Sequence, residues 1–166
     1  MKRFFSIVLS TILFISLLLV GMVCVFSLVF VPSNPVLESL PDFTEKEVFS
    51  SDGFQDITVY AKYHYYAIAP TVLEGNEYFQ PVTDADLSEL LSYLEDFEKW
   101  VALDSTFPSK GYDFNKSTLN PGDFFYIQSR YAGTHPEHGS EDKFWNYDVY
   151  YFDLDTGILY YFHNNI

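Results

Sequence analysis

Hydrophobic and polar positions along the chain fall into three patterns: one unbroken apolar run, one helical stripe, and several short alternating or aromatic-rich stretches. The run spans Phe4 to Val31 and carries no charged side chain. A helix over 4–31 would be about 42 Å long, more than the roughly 30 Å of a hydrocarbon core. Its hydroxyls, Ser6, Ser10, Thr11, Ser16 and Ser27, can bond back to carbonyls one turn earlier, so lipid does not exclude them. Pro32 and Pro35 follow and end the helix. A cleavable leader has a core of only about 7–15 residues. The run therefore reads as an uncleaved transmembrane anchor over 1–31, with the lipid bilayer as the partner of residues 4–31.

The helical stripe lies between Asp84 and Leu103. Leu87, Leu90, Leu91, Leu94, Phe97 and Val101 recur at helical spacing, with Glu89, Ser92, Glu95, Asp96 and Lys99 on the other side. Thr83 or Asp84 is placed to cap this helix, and Asp86 complements the dipole of its first turn. Alternation in one stretch, and aromatic-rich runs bounded by turns in the others, mark the strands: Glu45–Ser50, Ile57–Ile68, Asp123–Tyr131, Phe144–Asp153 and Ile158–His163, while 69–81 is a loop or holds a short strand at Glu77–Gln80. In the second of these, Ile57, Val59, Ala61, Tyr63, Tyr65 and Ala67 are expected to face the core. Thr58, Tyr60, Lys62, His64 and Tyr66 are expected on the wetter side. Turns are read at Ser51-Asp52-Gly53, at Asn120-Pro121-Gly122 and at Leu154-Asp155-Thr156-Gly157. Asp155 is expected to bond the backbone of the last.

The order is strands, helix, then three strands in a meander. It predicts an α+β fold in which an N-terminal transmembrane helix is followed by one helix packed on a curved antiparallel sheet. Cystatin-like and NTF2-like architectures share that order by analogy only, with no common motif, and the likeness carries no function. Pro32, Pro35 and Pro41 make 32–42 a stiff linker, leaving an α+β domain over 43–166.

Charge sharpens this picture. All 23 acidic residues and seven of the nine basic ones lie beyond residue 31, a formal charge of −16 for 32–166. Nothing there neutralises phosphates, so nucleic acid is not an expected partner; a basic protein is. Lys2 and Arg3 precede the apolar run, and only Lys46 lies within about 20 residues of its far end. That asymmetry puts a single-pass protein in the cell membrane, with its N terminus cytoplasmic and the acidic, extracytoplasmic domain outside. Cys24, in the apolar run, is the sole cysteine, which leaves the domain without disulfide or thiol chemistry.

Candidate chemistry is thin. Asp155-Thr156-Gly157 matches the water-activating motif of aspartic proteases, but only nine residues follow it. Asp153, Asp155 and Gly157 fall short of a calcium loop, which needs further ligands and a closing Glu. His135-Pro136-Glu137-His138, with Glu141 and Asp142, is the densest set of metal-ligand types, yet Pro136 opposes the helix that would aim two imidazoles together. His64 has no nucleophilic serine motif beside it. Asn115-Lys116-Ser117 is an N-glycosylation pattern. No catalytic, cofactor or metal site is assigned, and the expected role is non-enzymatic binding. An immunity or inhibitor role toward a basic partner is the alternative, with a small-ligand binder or enzyme after it.

Overall fold

A computed structural model describes residues 15–16, 34–51, 57–108, 111–130 and 143–165. The anchor expected over 4–31 lies outside them except for Ile15 and Ser16, which are helical. Among the described residues no helix is long and apolar enough to cross a membrane.

The chain divides into two compact units, Met1–Glu38 and Ser39–Ile166. In the first, the stretch read as a stiff linker holds a one-turn helix, α1, over Pro35–Glu38. Asn34 explains it: its Oδ1 accepts from the Leu37 amide at 3.2 Å, and Pro35 follows with φ already set for a helix.

The second unit runs β1 (Glu45–Ser50), β2 (Ile57–His64), α2 (Pro70–Glu74), β3 (Gln80–Pro81), α3 (Leu87–Leu103), a 3-10 turn (Lys116–Thr118), β4 (Phe124–Ser129), β5 (Asn146–Asp153) and β6 (Ile158–Asn165). All six strands form one sheet in the order β1-β2-β6-β5-β4-β3. Every neighbouring pair is antiparallel. The fold is thus α+β, as the pattern predicts. The β4-β5-β6 meander folds back so that β6 docks beside β2, with Tyr60 opposite Phe162 and Val59 opposite His163.

Helix α3 begins three residues later than its pattern predicts. Residues 84–86 form a turn instead, in which Asp86 Oδ2 accepts from the Thr83 amide at 2.9 Å and from the Thr83 hydroxyl at 2.5 Å. Its buried face is Leu90, Tyr93, Leu94 and Phe97. Phe97 meets Phe162 edge-on with ring centroids 5.3 Å apart, and Tyr93 meets Tyr147 at 5.1 Å. These side chains form one core with Tyr60, Phe125, Val149, Tyr151 and Phe114. Each fully buried Leu or Phe here contributes about 1.5–3 kcal/mol of transfer free energy.

Strand β2 departs from the sequence expectation on one face only: Ala61, Tyr63 and Tyr65 are buried as expected, but the opposite face is not wet. Tyr60, on the side expected to be wet, is wholly buried beneath α3, and Lys62 and His64 share its face. The reason is that both faces of the sheet centre are covered. On the face away from α3, Ala61, Tyr63, Leu159, Tyr150, Phe152 and Phe124 are also buried. Phe43 packs edge-on to Tyr63 at 5.1 Å, and Tyr65 packs against Phe152 at 5.6 Å. Alternation of polarity reports a face only when one side is wet.

Two turns follow their glycines. Gly122, at φ +99°, closes Asn120-Pro121-Gly122, with the Asp123 amide donating to the Asn120 carbonyl at 3.2 Å. Gly157, at φ +69°, ends the β5–β6 loop, its amide donating to the Asp153 carbonyl at 2.9 Å. The carboxylate that supports this loop is Asp153, not Asp155. Asp153 Oδ1 accepts from the amides of Asp155 at 2.9 Å and Thr156 at 3.1 Å. A carboxylate just before a tight turn reaches forward to its amides; one inside the turn has already passed them.

Candidate functional site

Strand β3 is two residues long and covers only the start of β4, with Gln80 opposite Phe125 and Pro81 opposite Phe124. Extending that register would bring Tyr78 opposite Ile127. The chain leaves the sheet first, and Phe79 turns into the core. From Tyr126 to Ser129, β4 therefore has no strand on its outer side among the described residues. A groove of about 430 Å³ lies along this edge, lined by Tyr78, Glu89, Tyr93, Tyr126, Ile127 and Ser129 among others.

Which main-chain groups face the groove follows from the ladder. The Arg130 amide donates to the Asn146 carbonyl at 2.8 Å, so Arg130 belongs to the set whose backbone points at β5. Antiparallel strands alternate, so Gln128 and Tyr126 point the same way. The N–H and C=O groups of Ile127 and Ser129 point outward, to the open side. Tyr93 forms part of the groove wall from α3. Burial raises its phenol above the ordinary range; the Glu89 charge adds to this, and a hydrogen bond with Ser129 works against it. Tyr78 and Tyr126 meet edge-on at 5.4 Å on the other wall.

The end of β4 is tied down from the opposite face by Asp148, which is 2 % exposed. Asp148 Oδ1 accepts from the Tyr161 hydroxyl at 2.8 Å and lies 2.8 Å from His163 Nδ1, its direct cross-strand neighbour. The Arg130 guanidinium donates to Asp148 Oδ2 and, at 2.7 Å, to Asn146 Oδ1. Asn146 in turn donates to Asn165 Oδ1 at 2.7 Å. Burial pushes the Asp148 carboxyl up, but the hydrogen bonds from His163 and Tyr161 and the charges of His163 and Arg130 outweigh it. The net result lies below the usual carboxylate range. Rings continue the tie across the strands: Tyr126 lies 6.0 Å from Tyr150, and Tyr150 lies 4.7 Å from Tyr161. These three are directly opposite one another in register, an arrangement in which aromatic pairs hold strands together.

Two further networks lie elsewhere. Under α3, Lys62 bridges Asp113 at 2.9 Å and Glu47 at 3.1 Å, and the Tyr60 hydroxyl donates to Asp113 at 2.8 Å. The Lys62 hydrogen bond, then that of His64, brings Glu47 below its ordinary range. At the far end of β5, burial raises the Asp123 carboxyl, while bonds from Tyr151 at 2.5 Å and the Leu154 amide at 3.0 Å oppose the rise. Tyr151 and Asp123 thereby join the meander to the turn before β4.

The residues singled out from sequence do not converge on this groove. His64 lies on β2, 3.2 Å from Glu47. Asp153, Asp155 and Gly157 make the β5–β6 turn. Exposed Asn115 caps the 3-10 turn, its Oδ1 accepting from the Ser117 amide at 3.0 Å. His135, Glu137, His138, Glu141 and Asp142 lie outside the described residues. Among the described residues no group of three or more His, Cys, Asp or Glu side chains is placed to hold a metal ion. Sequence reasoning missed Tyr93 and Asp148. The signal for Asp148 was an acid alone within an aromatic strand, Tyr147-Asp148-Val149-Tyr150-Tyr151-Phe152, where only a paired carboxylate is tolerated. Compared with protein-family models, curated proteins and solved structures, the chain matches none of them.

Proposed function

We propose that the chain is a single-pass membrane protein whose acidic domain lies outside the cytoplasm and acts as a non-enzymatic binding module. Its partner is held in the groove between α3 and the open edge of β4. One observation carries this reading: a groove of about 430 Å³ runs beside main-chain groups that no strand covers among the described residues, and tyrosines line it. Tyrosine is enriched at binding surfaces because it offers a large apolar face and a polar tip at low entropic cost. The Asp148 network supports the reading, because an edge already fixed loses less freedom when a partner docks. The formal charge of −16 over 32–166 favours a basic partner and fast, steered association.

The test is site-specific photo-crosslinking of the full chain in the cells that make it. A photoreactive phenylalanine analogue replaces Tyr78, Tyr126 or Tyr66 in turn. Tyr66 is 96 % exposed and does not line the groove. Adducts at 78 and 126 but not at 66 support the groove. Equal labelling at all three positions, or adducts only at 66, refute it.

A further inference from the structure

We infer that the open edge of β4 receives an extended, basic segment of another protein as an added antiparallel strand, bonded to the main chain of Ile127 and Ser129. The inference rests on the groove being the binding site proposed above. It goes further by naming the occupant's conformation, chemistry and register.

The conformation follows from the backbone. Ile127 and Ser129 together present two outward amides and two outward carbonyls, since the alternation set by the Arg130–Asn146 bond turns their neighbours toward β5. Such a row pairs best with another strand, the mode of recognition in which main-chain bonds give affinity and alternate side chains give specificity. Register gives the side chains. A residue directly opposite Ile127 projects on the α3 side, against Ile127 and Tyr93, where an apolar side chain fits. The next residue, opposite Gln128, projects to the other face, where the Tyr126 ring offers its π surface to a cation.

Charge decides between a foreign segment and a second copy. The exposed Glu89 carboxylate stands in the groove lining. Among the described residues the two nearby cations are already engaged: the Lys143 ammonium sits 5.1 Å from the Tyr93 ring and 4.7 Å from the Phe144 ring, and Arg130 is held by Asn146 and Asp148. Two copies meeting edge to edge would bring together two Glu89 side chains and two domains of formal charge −16. A lysine- or arginine-bearing strand reverses the sign of the domain-scale interaction, its cations projecting away from Glu89 to the Tyr126 face.

The probe is a fluorescent eight-residue peptide of alternating lysine and valine, titrated by anisotropy against the full chain in neutral detergent at moderate salt. Binding with a Kd below about 1 mM is expected. Methylating the valine amides, which face Ile127 and Ser129 when valine fills the α3 side, should weaken it at least tenfold. Methylating the lysine amides, which point to solvent, should change it less than threefold. An alternating glutamate–valine peptide should not bind. On the protein side, Ile127→Pro removes an outward amide that makes no bond to β5 and should also abolish binding, with near-UV circular dichroism reporting whether the fold survives. Equal loss from both methylations overturns strand addition and leaves the groove as a binding site. Absence of lysine–valine binding overturns the inference, while crosslinks at 78 and 126 would keep the groove. Concentration-dependent dimers crosslinked through 126 assign the edge to a second copy and also overturn it.

Discussion

Gly157 and Gly122 both adopt positive φ, but only one of them is crowded, and that difference can be measured. At Gly157 an added Cβ would lie 2.9 Å from the Tyr65 carbonyl oxygen; at Gly122 it would meet nothing within 4 Å. Left-handed backbone costs an L-residue about 1–2 kcal/mol. Gly122→Ala should therefore destabilise by that amount alone. Gly157→Ala carries the same cost and must also push on Tyr65. The Tyr65 amide donates to the Gly157 carbonyl at 2.9 Å, so the strain falls on a bond that joins the turn to the end of β2. Weakening it adds about 1 kcal/mol, for a total of about 2–3 kcal/mol. For a domain of this size each kcal/mol lowers Tm by roughly 3–4 °C. The expected losses are about 3–8 °C for Gly122→Ala and about 6–12 °C for Gly157→Ala, with Gly157→Val the most damaging. Thermal melts of the full chain in detergent, followed by near-UV circular dichroism, give the comparison. Gly157→Asn is the useful third variant, because Asn tolerates positive φ but still carries a Cβ. If Gly157→Asn matches the parent, or if both Ala variants lose the same Tm, the contact with Tyr65 is not what makes this glycine necessary.

Leu94→Ala, which empties a fully buried site, should cost about 2–5 kcal/mol, while exposed Glu95→Ala changes stability by less than about 0.5 kcal/mol in the same melts. Asp153→Ala should cost about 1–2 kcal/mol by freeing two turn amides, and Asp155→Ala under about 0.5 kcal/mol; the reverse order would restore Asp155 as the supporting carboxylate. Asp148→Asn should cost about 1.5–3 kcal/mol near neutral pH. Because the folded carboxyl of Asp148 titrates below its unfolded value of about 3.9, its contribution is present above about pH 4 and lost as pH falls through the folded value. The stability gap between parent and Asp148→Asn should thus be widest at pH 5 and above and narrow below about pH 4; a constant gap in pH-dependent melts would contradict the charged pairing. For topology, Tyr66→Cys in a Cys24→Ser background should react with a membrane-impermeant maleimide on intact cells, and labelling only after lysis would place the domain in the cytoplasm.

What could be read from the sequence was local. Strand β5 announces itself by its run of aromatics, β1 by the Ser51-Asp52-Gly53 turn signal that follows it, helix α3 by a leucine stripe, and Asn120-Pro121-Gly122 by its turn chemistry. Helix α3 showed Leu90, Leu94 and Phe97; Tyr93 also sits at helical spacing, three residues after Leu90 and four before Phe97, but the hydroxyl of a tyrosine suits an exposed ring equally well. Strand β2 misled for a different reason. Its two faces carry Tyr60 and Tyr63, both buried, so the polar Lys62 and His64 decided the reading. Those two are accommodated by Asp113 and Glu47 rather than by water alone. The candidate site was out of reach because it depends on pairing. Asp148 gains His163, 15 residues away in sequence, and Arg130, 18 residues away, only once β4, β5 and β6 take their register. The groove exists only because β3 is too short for β4, a relation between strands that no single stretch of sequence contains.

An uncovered strand edge is ordinarily a liability, since it can pair with any exposed strand, including another copy of itself. Three features limit that hazard here without closing the edge. Among the described residues only Ile127 and Ser129 face outward beyond β3, too few bonds to hold two folded domains together unaided. The charge of −16 over residues 32–166 repels a second copy at distances where backbone pairing has not begun. The third feature is the Asp148 network, which fixes Arg130 and with it the end of β4, so the edge does not fray and recruit neighbours. A chain that merely tolerated a short β3 would need the charge alone. Asp148 instead is a carboxylate 2 % exposed, held by Arg130, His163 and Tyr161 immediately behind the two outward residues. It costs desolvation to place there and is offset only by those bonds. Its position makes sense if the uncovered edge has to keep a fixed shape, which is the requirement a docking strand imposes and a solvent-exposed edge does not.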